Sequence, residues 1–149
     1  MNPAETPIAI GADHGGEALK QHLAALLTAA GHPVTDFGTH GSASVDYPDF
    51  AHQVCVAVEA GRARFGVLVC GSGIGMSMAA NLHPGIRAAV LHHGTDARLS
   101  RAHNNANIAC FGARLTGTEL VEAALREFLA TQYEGGRHDN RIAKLSPKG

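Results

Sequence analysis

Five short apolar runs, separated by longer segments whose apolar residues recur at helical spacing, restrict the fold of this chain more than any other feature. Pro7 to Gly11, Val34 to Phe37, Phe65 to Val69, Ile86 to Leu91 and Ile108 to Phe111 read as strands. Between them, Leu19, Leu23, Leu26, Leu27 and Ala30 share one helical face until Gly31, and Phe50, Val54, Ala57 and Val58 do the same until Gly61. A helix from about Thr95 to His103 leads into the fifth strand. A last long helix is expected from Thr116-Gly117-Thr118-Glu119, which has the form of a capping box, with Val121, Ala124, Leu125 and Phe128 on its buried face. Strand and helix alternating in this way predict an α/β fold, a parallel sheet covered by helices. The apolar third run is expected at its centre. No linker divides the 149 residues, so one domain is expected over 1–149, with a flexible lead-in at 1–6 and a tail from 133 where the apolar rhythm stops.

Composition removes several classes of function. A net charge of -1 gives no broad field for nucleic acid or a membrane surface. The cysteines Cys55, Cys70 and Cys110 are odd in number and form no CxxC pair, which fits a reducing cytoplasm better than a secreted disulfide scaffold. Met1 to Pro7 does not read as a signal peptide, and no apolar run approaches the roughly 20 residues of a membrane span.

In an open parallel sheet, ligands collect where strands end, and four of these junctions are unusually polar. Asp13-His14-Gly15-Gly16 follows the first strand, and His92, His93 and Asp96 follow the fourth. After the third comes Cys70-Gly71-Ser72-Gly73-Ile74-Gly75, a thiol opening a glycine-rich turn with a helix expected just beyond. Uncovered amides and a helix start can hold a phosphate or a developing oxyanion, and the same field favours a thiolate. Cys70 is therefore a candidate base or nucleophile beside an anion pocket. His103-Asn104-Asn105-Ala106-Asn107 carries more side-chain amide than a helix end requires. In the tail, Arg137 and Arg141 stand four apart, the spacing that would align two guanidiniums on one helical face to grip a phosphate.

These motifs together resemble the ribose-5-phosphate isomerase type B family. The likeness runs from about Ile8 to Arg141 and rests on Gly11-Ala12-Asp13-His14-Gly15-Gly16, Asp46-Tyr47-Pro48, Cys70-Gly71-Ser72-Gly73-Ile74-Gly75, Ala79-Ala80-Asn81, His103-Asn104-Asn105-Ala106-Asn107 and Tyr133-Glu134-Gly135-Gly136-Arg137-His138. Six motifs in one order are far more specific than a lone glycine loop. The wider family includes allose-6-phosphate isomerase and the galactose-6-phosphate isomerase subunits. The resemblance implies a Rossmann-like three-layer sandwich with strand order 2-1-3-5-4, no metal and no organic cofactor. It also implies a homodimer or dimer of dimers whose active sites combine residues of two chains.

The implied reaction interconverts an aldose phosphate and a ketose phosphate, ribose 5-phosphate and ribulose 5-phosphate first of all, through a cis-enediol. By resemblance, Cys70 takes the proton from C2, and the amides of Gly71, Ser72, Gly73, Ile74 and Gly75 face the enediolate oxygen while the Ser72 hydroxyl bonds or relays to the substrate. His103 protonates the ring oxygen as the furanose opens, and Asn104 binds a hydroxyl beside it. Asp13 and His14 contact the sugar, Arg137 and Arg141 the phosphate, with Tyr47 and Arg114 as additions.

Blander roles compete with each of these. Cys55 and Cys110 read as small core residues, and most of the ten histidines as surface groups, since His22, His32, His40, His52, His83 and the His92-His93 pair lack a ligand spacing for metal. Asp46 and Asp49 read as caps of the helix behind Pro48. Leu82-His83 and the histidine-rich His92-His93-Gly94-Thr95-Asp96 depart from the family's usual pattern, which leaves a six-carbon sugar phosphate open as substrate. A non-catalytic sugar-phosphate sensor could use the same glycine turn, whereas a redox role for Cys70 has no resolving cysteine nearby in sequence.

Overall fold

The apolar rhythm materialises as β1 (Ile8–Ala12), α1 (Glu17–Ala29), β2 (Val34–Asp36), α2 (Tyr47–Glu59), β3 (Phe65–Cys70), α3 (Ile74–Ala80), β4 (Ala88–Val90), α4 (Gly94–Ala102), β5 (Ile108–Gly112), α5 (Thr118–Ala130) and α6 (Arg137–Ala143). These come from a computed structural model that describes residues 5–147. The lead-in expected at 1–6 thus falls largely outside the described residues. The strands form one parallel sheet in the order β2-β1-β3-β5-β4, with β3 at its centre.

Side chains of successive strand residues point to opposite faces, so each strand feeds two cores. Along β3, Phe65, Val67 and Val69 join Ile8, Leu23, Leu27, Phe111, Val121, Leu125 and Phe128 in the layer containing α1 and α5. Leu68 and Cys70 turn the other way, toward Val54, Cys55, Met76 and Cys110 beside α2 and α3. Register alone therefore decides which layer the Cys70 thiol faces. Among the described residues, no helix is long and apolar enough to cross a membrane.

A fully buried charge lies inside this frame. Lys20 of α1 is fully buried and its Nζ donates to Asp36 Oδ2 at 2.6 Å, joining the helix to the end of β2. Asp36→Asn would leave the ammonium without its counter-charge. The expected loss is about 3 kcal/mol, the low end for a buried pair because Asp36 is 28 % exposed. Urea unfolding reads this directly. Lys20→Met on the Asp36→Asn background should recover most of the loss, because an apolar side chain of similar length carries no desolvation cost.

Two expected caps are not formed. Gly117 precedes α5 and Asp46 precedes α2, and neither helix start has a side-chain cap hydrogen bond. Thr116 Oγ1 instead lies 3.4 Å from His92 Nδ1. The capping box sits at α4, where the His93 ring accepts the Asp96 N–H at 3.3 Å and the Asp96 carboxylate accepts the His93 N–H at 3.2 Å.

Candidate active site

At the C-terminal edge of β3 the chain must leave the sheet and start α3 within three residues. Gly73 makes this possible with φ of +79°, and a Cβ there would lie 3.0 Å from the backbone of Phe111. The tight turn brings the Gly73 N–H onto Cys70 Sγ at 3.1 Å, while the Ile74 N–H donates to Ser72 Oγ at 3.2 Å. Two of the turn's amides are thus already engaged, one of them by the sulfur itself.

The three thiols differ in environment. Burial pushes the Cys55 thiol up to about 12, with Glu59 adding to it, and burial pushes the Cys110 thiol well up. Both have no exposed surface, whereas Cys70 keeps 5 %. The core role expected of Cys55 and Cys110 is the one they have.

The neighbours of the turn come from three other strand ends. Asp13 Oδ1 accepts the N–H groups of Gly15 and Gly16 at 2.9 and 3.1 Å, which fixes the loop after β1. His14 Nδ1 accepts the Val45 N–H at 3.1 Å, so in a neutral ring the proton is on Nε2. The Tyr47 ring packs on the backbone of Gly75, where an added Cβ would come within 2.5 Å of it. Arg114, after β5, lies over Gly71, and its N–H donates to the Gly71 carbonyl at 3.0 Å. Asp13, His14, Val45, Asp46, Tyr47 and Asp49 border an open cleft of about 520 Å³.

The remaining candidates gather elsewhere. His103 is the C-cap of α4 and stacks on His138 of α6, with ring centroids 4.4 Å apart and planes inclined by 18°. Glu134 reaches both rings, Oε1 lying 3.7 Å from His103 Nε2 and Oε2 3.9 Å from His138 Nε2. The Glu134 N–H donates to the Ala102 carbonyl at 3.0 Å, and Tyr133 donates its hydroxyl to Asp139 at 2.5 Å, which clamps the tail to the end of α4. Burial and that hydrogen bond push the Tyr133 hydroxyl up to about 12. His138 is held below the usual imidazole range, by burial first and then by His103 and Arg137. Arg137 and Arg141 share α6, as their spacing predicts, and Asn104 is exposed next to His103.

Arg101 is the support of this second cluster. Its guanidinium is buried between Phe65, at 4.7 Å, and Phe128, at 5.7 Å. It donates to Ala106 O at 2.5 Å and Asn105 Oδ1 at 3.0 Å. Burial, with Arg64 and Arg87 adding, lowers its pKa. The amide-rich stretch is accordingly more structural than expected. Asn105 is spent on Arg101 and Arg87, and Asn107 on the Arg87 N–H and the Gly85 carbonyl.

Sheet direction keeps the two clusters apart within one chain. The Asn107 carbonyl accepts from Gly66 at the start of β3, so the His103–Asn107 loop lies at the edge where β3 begins and Cys70 at the edge where it ends. About 13 Å of strand separates those edges, at roughly 3.3 Å per residue. The resemblance implies a site shared between two chains, with His103, Arg137 and Arg141 serving the partner's pocket; within one chain the fold holds Asp13, His14, Tyr47, Cys70, Ser72 and Arg114 in one group and His103, Asn104, Arg137 and Arg141 in another. Two residues of the second cluster, Glu134 and His138, were passed over because only folding brings them to His103.

Comparison with known proteins supplies independent relatives. The family model described as Ribose/Galactose Isomerase matches residues 8–145. Ribose-5-phosphate isomerase B of Escherichia coli is 45 % identical over 139 residues, 93 % of each chain. A galactose-6-phosphate isomerase subunit of Clostridium acetobutylicum is 36 % identical over 92 % of this chain and 79 % of its own. The structure of ribose-5-phosphate isomerase B from Clostridium thermocellum superposes with a TM-score of 0.94 at 46 % identity, covering 95 % of this chain and 96 % of that one. A ribose 5-phosphate isomerase from Thermotoga maritima gives 0.93 at 45 % identity, covering 95 % and 98 %.

Proposed function

The chain belongs to the ribose/galactose isomerase family, and from that premise we propose that it interconverts ribose 5-phosphate and ribulose 5-phosphate, with Cys70 as the base. One observation carries the reading: the Cys70 sulfur stands at a strand end with a backbone N–H aimed at it, beside a polar cleft. A sulfur that takes up and returns a proton needs its negative charge met at one stage and released at the next. An N–H donor 3.1 Å away is placed to do this.

Each role follows from what a side chain can donate or accept. Ser72 Oγ already accepts from Ile74, so its own proton is left to reach a substrate oxygen. The turn from Gly71 through Gly73 and Ile74 to Gly75 shapes the pocket floor, and a donor facing the enediolate is worth on the order of 3 kcal/mol. Asp13 and His14 meet the sugar hydroxyls, with Tyr47 as the wall. Arg114, over Gly71, adds positive charge at the same edge. Proton transfer between adjacent carbons draws only on groups of this kind.

Ring opening needs a second chain. The ring oxygen and C2 of a pentofuranose are both bonded to C1, so base and acid must reach one small ring. Cys70 and His103 stand at opposite edges of one sheet, which supports a homodimer in which His103, Asn104, Arg137 and Arg141 of one copy complete the Cys70 cleft of the other. Ile74, Met78 and Leu82 lie exposed along α3 and just past it, beside the Cys70 turn, an apolar stripe suited to such a contact. The free thiols Cys55, Cys70 and Cys110 suit the cytoplasm, where we place the enzyme.

Incubation with ribose 5-phosphate in deuterated water tests the reading: ketose should form with deuterium at C1. Binding without exchange would make the protein a sensor. Similarity to the galactose-6-phosphate isomerase subunit favours one rival substrate class, so turnover on a six-carbon sugar phosphate belongs in the same assay. His103→Asn should lose most activity on cyclic ribose 5-phosphate yet retain most solvent exchange into open-chain ribulose 5-phosphate. Equal losses on both substrates would remove His103 from ring opening.

A further inference from the structure

A carboxylate beside His103 suits a general acid, but the His103–Glu134–His138 cluster adds a second imidazole that ring opening does not call for. One carboxylate stands between two imidazoles, one oxygen turned toward each Nε2 at 3.7 and 3.9 Å, and the three ligand atoms lie within 4.8 Å of one another. Among the described residues it is the one group of three or more histidine, cysteine or acidic side chains so arranged. His138 is 7 % exposed; its ring stacks on His103 and its Nε2 lies 3.9 Å from Glu134 Oε2, with the Arg137 and Arg141 guanidiniums acting on the same ring. The two Nε2 atoms thus share one carboxylate without a hydrogen bond to it.

We propose that His103, Glu134 and His138 form a binding site for a divalent borderline cation of the zinc type, and that its occupation silences the enzyme by tying up the ring-opening imidazole. Two imidazole nitrogens and a carboxylate suit Zn²⁺, whose ligand bonds run about 2.0–2.2 Å and whose tetrahedral ligands therefore sit roughly 3.3–3.5 Å apart. The observed separations exceed this by a few tenths of an ångström to about 1.5 Å at most. Glu134 is 53 % exposed and can move in on a backbone pinned to Ala102, and the two rings must turn out of their stack, in which the planes are inclined by 18°, for both Nε2 lone pairs to meet one ion. The two imidazole ligands are placed by α4 and α6, and water or a substrate oxygen would complete the coordination. Magnesium and calcium, which prefer oxygen ligands, should bind poorly.

The inhibitory consequence rests on the proposed role of His103; the metal site itself does not. Zinc affinity of the full chain is measured by competition with a chromogenic chelator, and Co²⁺ replaces zinc to give a visible spectrum that reports nitrogen ligands. Wild type should bind one zinc per chain, and Glu134→Gln and His138→Gln should each weaken it at least tenfold and alter the cobalt spectrum, while His40→Gln, at an exposed imidazole remote from the cluster in sequence, leaves both unchanged. Circular dichroism confirms that the variants are folded. Unchanged affinity in Glu134→Gln, or loss of binding in His40→Gln, overturns the site. In the activity arm, zinc should block ribose 5-phosphate turnover and a chelator restore it. Metal binding at this cluster by a protein with no isomerase activity would remove the functional reading and leave the site standing. Turnover indifferent to saturating zinc would overturn the silencing.

Discussion

Cys70→Ala is expected to lower turnover of ribose 5-phosphate by about 10²- to 10⁴-fold, the span lost when a positioned general base is removed. Binding should change little, because the sugar and phosphate contacts lie on other residues. Solvent deuterium should vanish from C1 of the ketose in parallel with turnover, since both pass through the same proton. The fold should tolerate the change: alanine fills most of the site, and the sulfur's one hydrogen bond comes from the Gly73 amide at the edge of the core. Cys70→Ser is the more telling companion. It keeps an acceptor for Gly73, but an alkoxide is a far less accessible base than a thiolate, so it too should be nearly inactive. Exchange at the wild-type rate in Cys70→Ala would move the base to another group at this strand end.

Mixing two dead proteins should produce a live one. Cys70→Ala and His103→Ala are each expected to be almost inactive on cyclic ribose 5-phosphate. If active sites combine the β3 end of one copy with the α4 end of another, a mixed dimer has one site with both side chains intact and one with neither. Random reassortment of equal amounts puts half of the chains into mixed dimers, so activity should rise from near zero to about a quarter of wild type. Sites formed within single chains would give no recovery at any mixing ratio, and that outcome would falsify the shared-site reading. The recovery should grow with the time allowed for subunit exchange, which separates it from contamination.

The fold was legible because strand and helix have different apolar periods, and this chain keeps them cleanly separated. The wholly apolar Phe65–Val69 run read as a central strand, and β1, β3 and β5 are each buried along their whole length with β3 in the middle. Thr116 to Glu119 misled because cap chemistry is a local option, and here Thr116 Oγ1 faces His92 instead of the helix start. Helix α6 had no apolar signal, since its packing is an imidazole on an imidazole. For the site, the Cys70 turn was legible from its glycines and the Arg137–Arg141 pair from its spacing, whereas the role proposed for Asp13 rests on family resemblance. The division of the site between two chains also came through the resemblance; what linear order could not convey was its physical cause. Strand direction puts Cys70 and His103 at opposite edges, and nothing in linear order marks that His103, Glu134 and His138 share one small volume. Arg101 was invisible for a related reason, since an arginine in an amphipathic helix reads as solvated.

Arg101 also ties interior packing to the geometry of the second cluster. The same guanidinium that lies between two core phenylalanines holds the Asn105–Ala106 turn that directly follows His103. A substitution that repacks this corner should therefore displace the His103 ring and lower the unfolding midpoint together, two readouts moved by one contact.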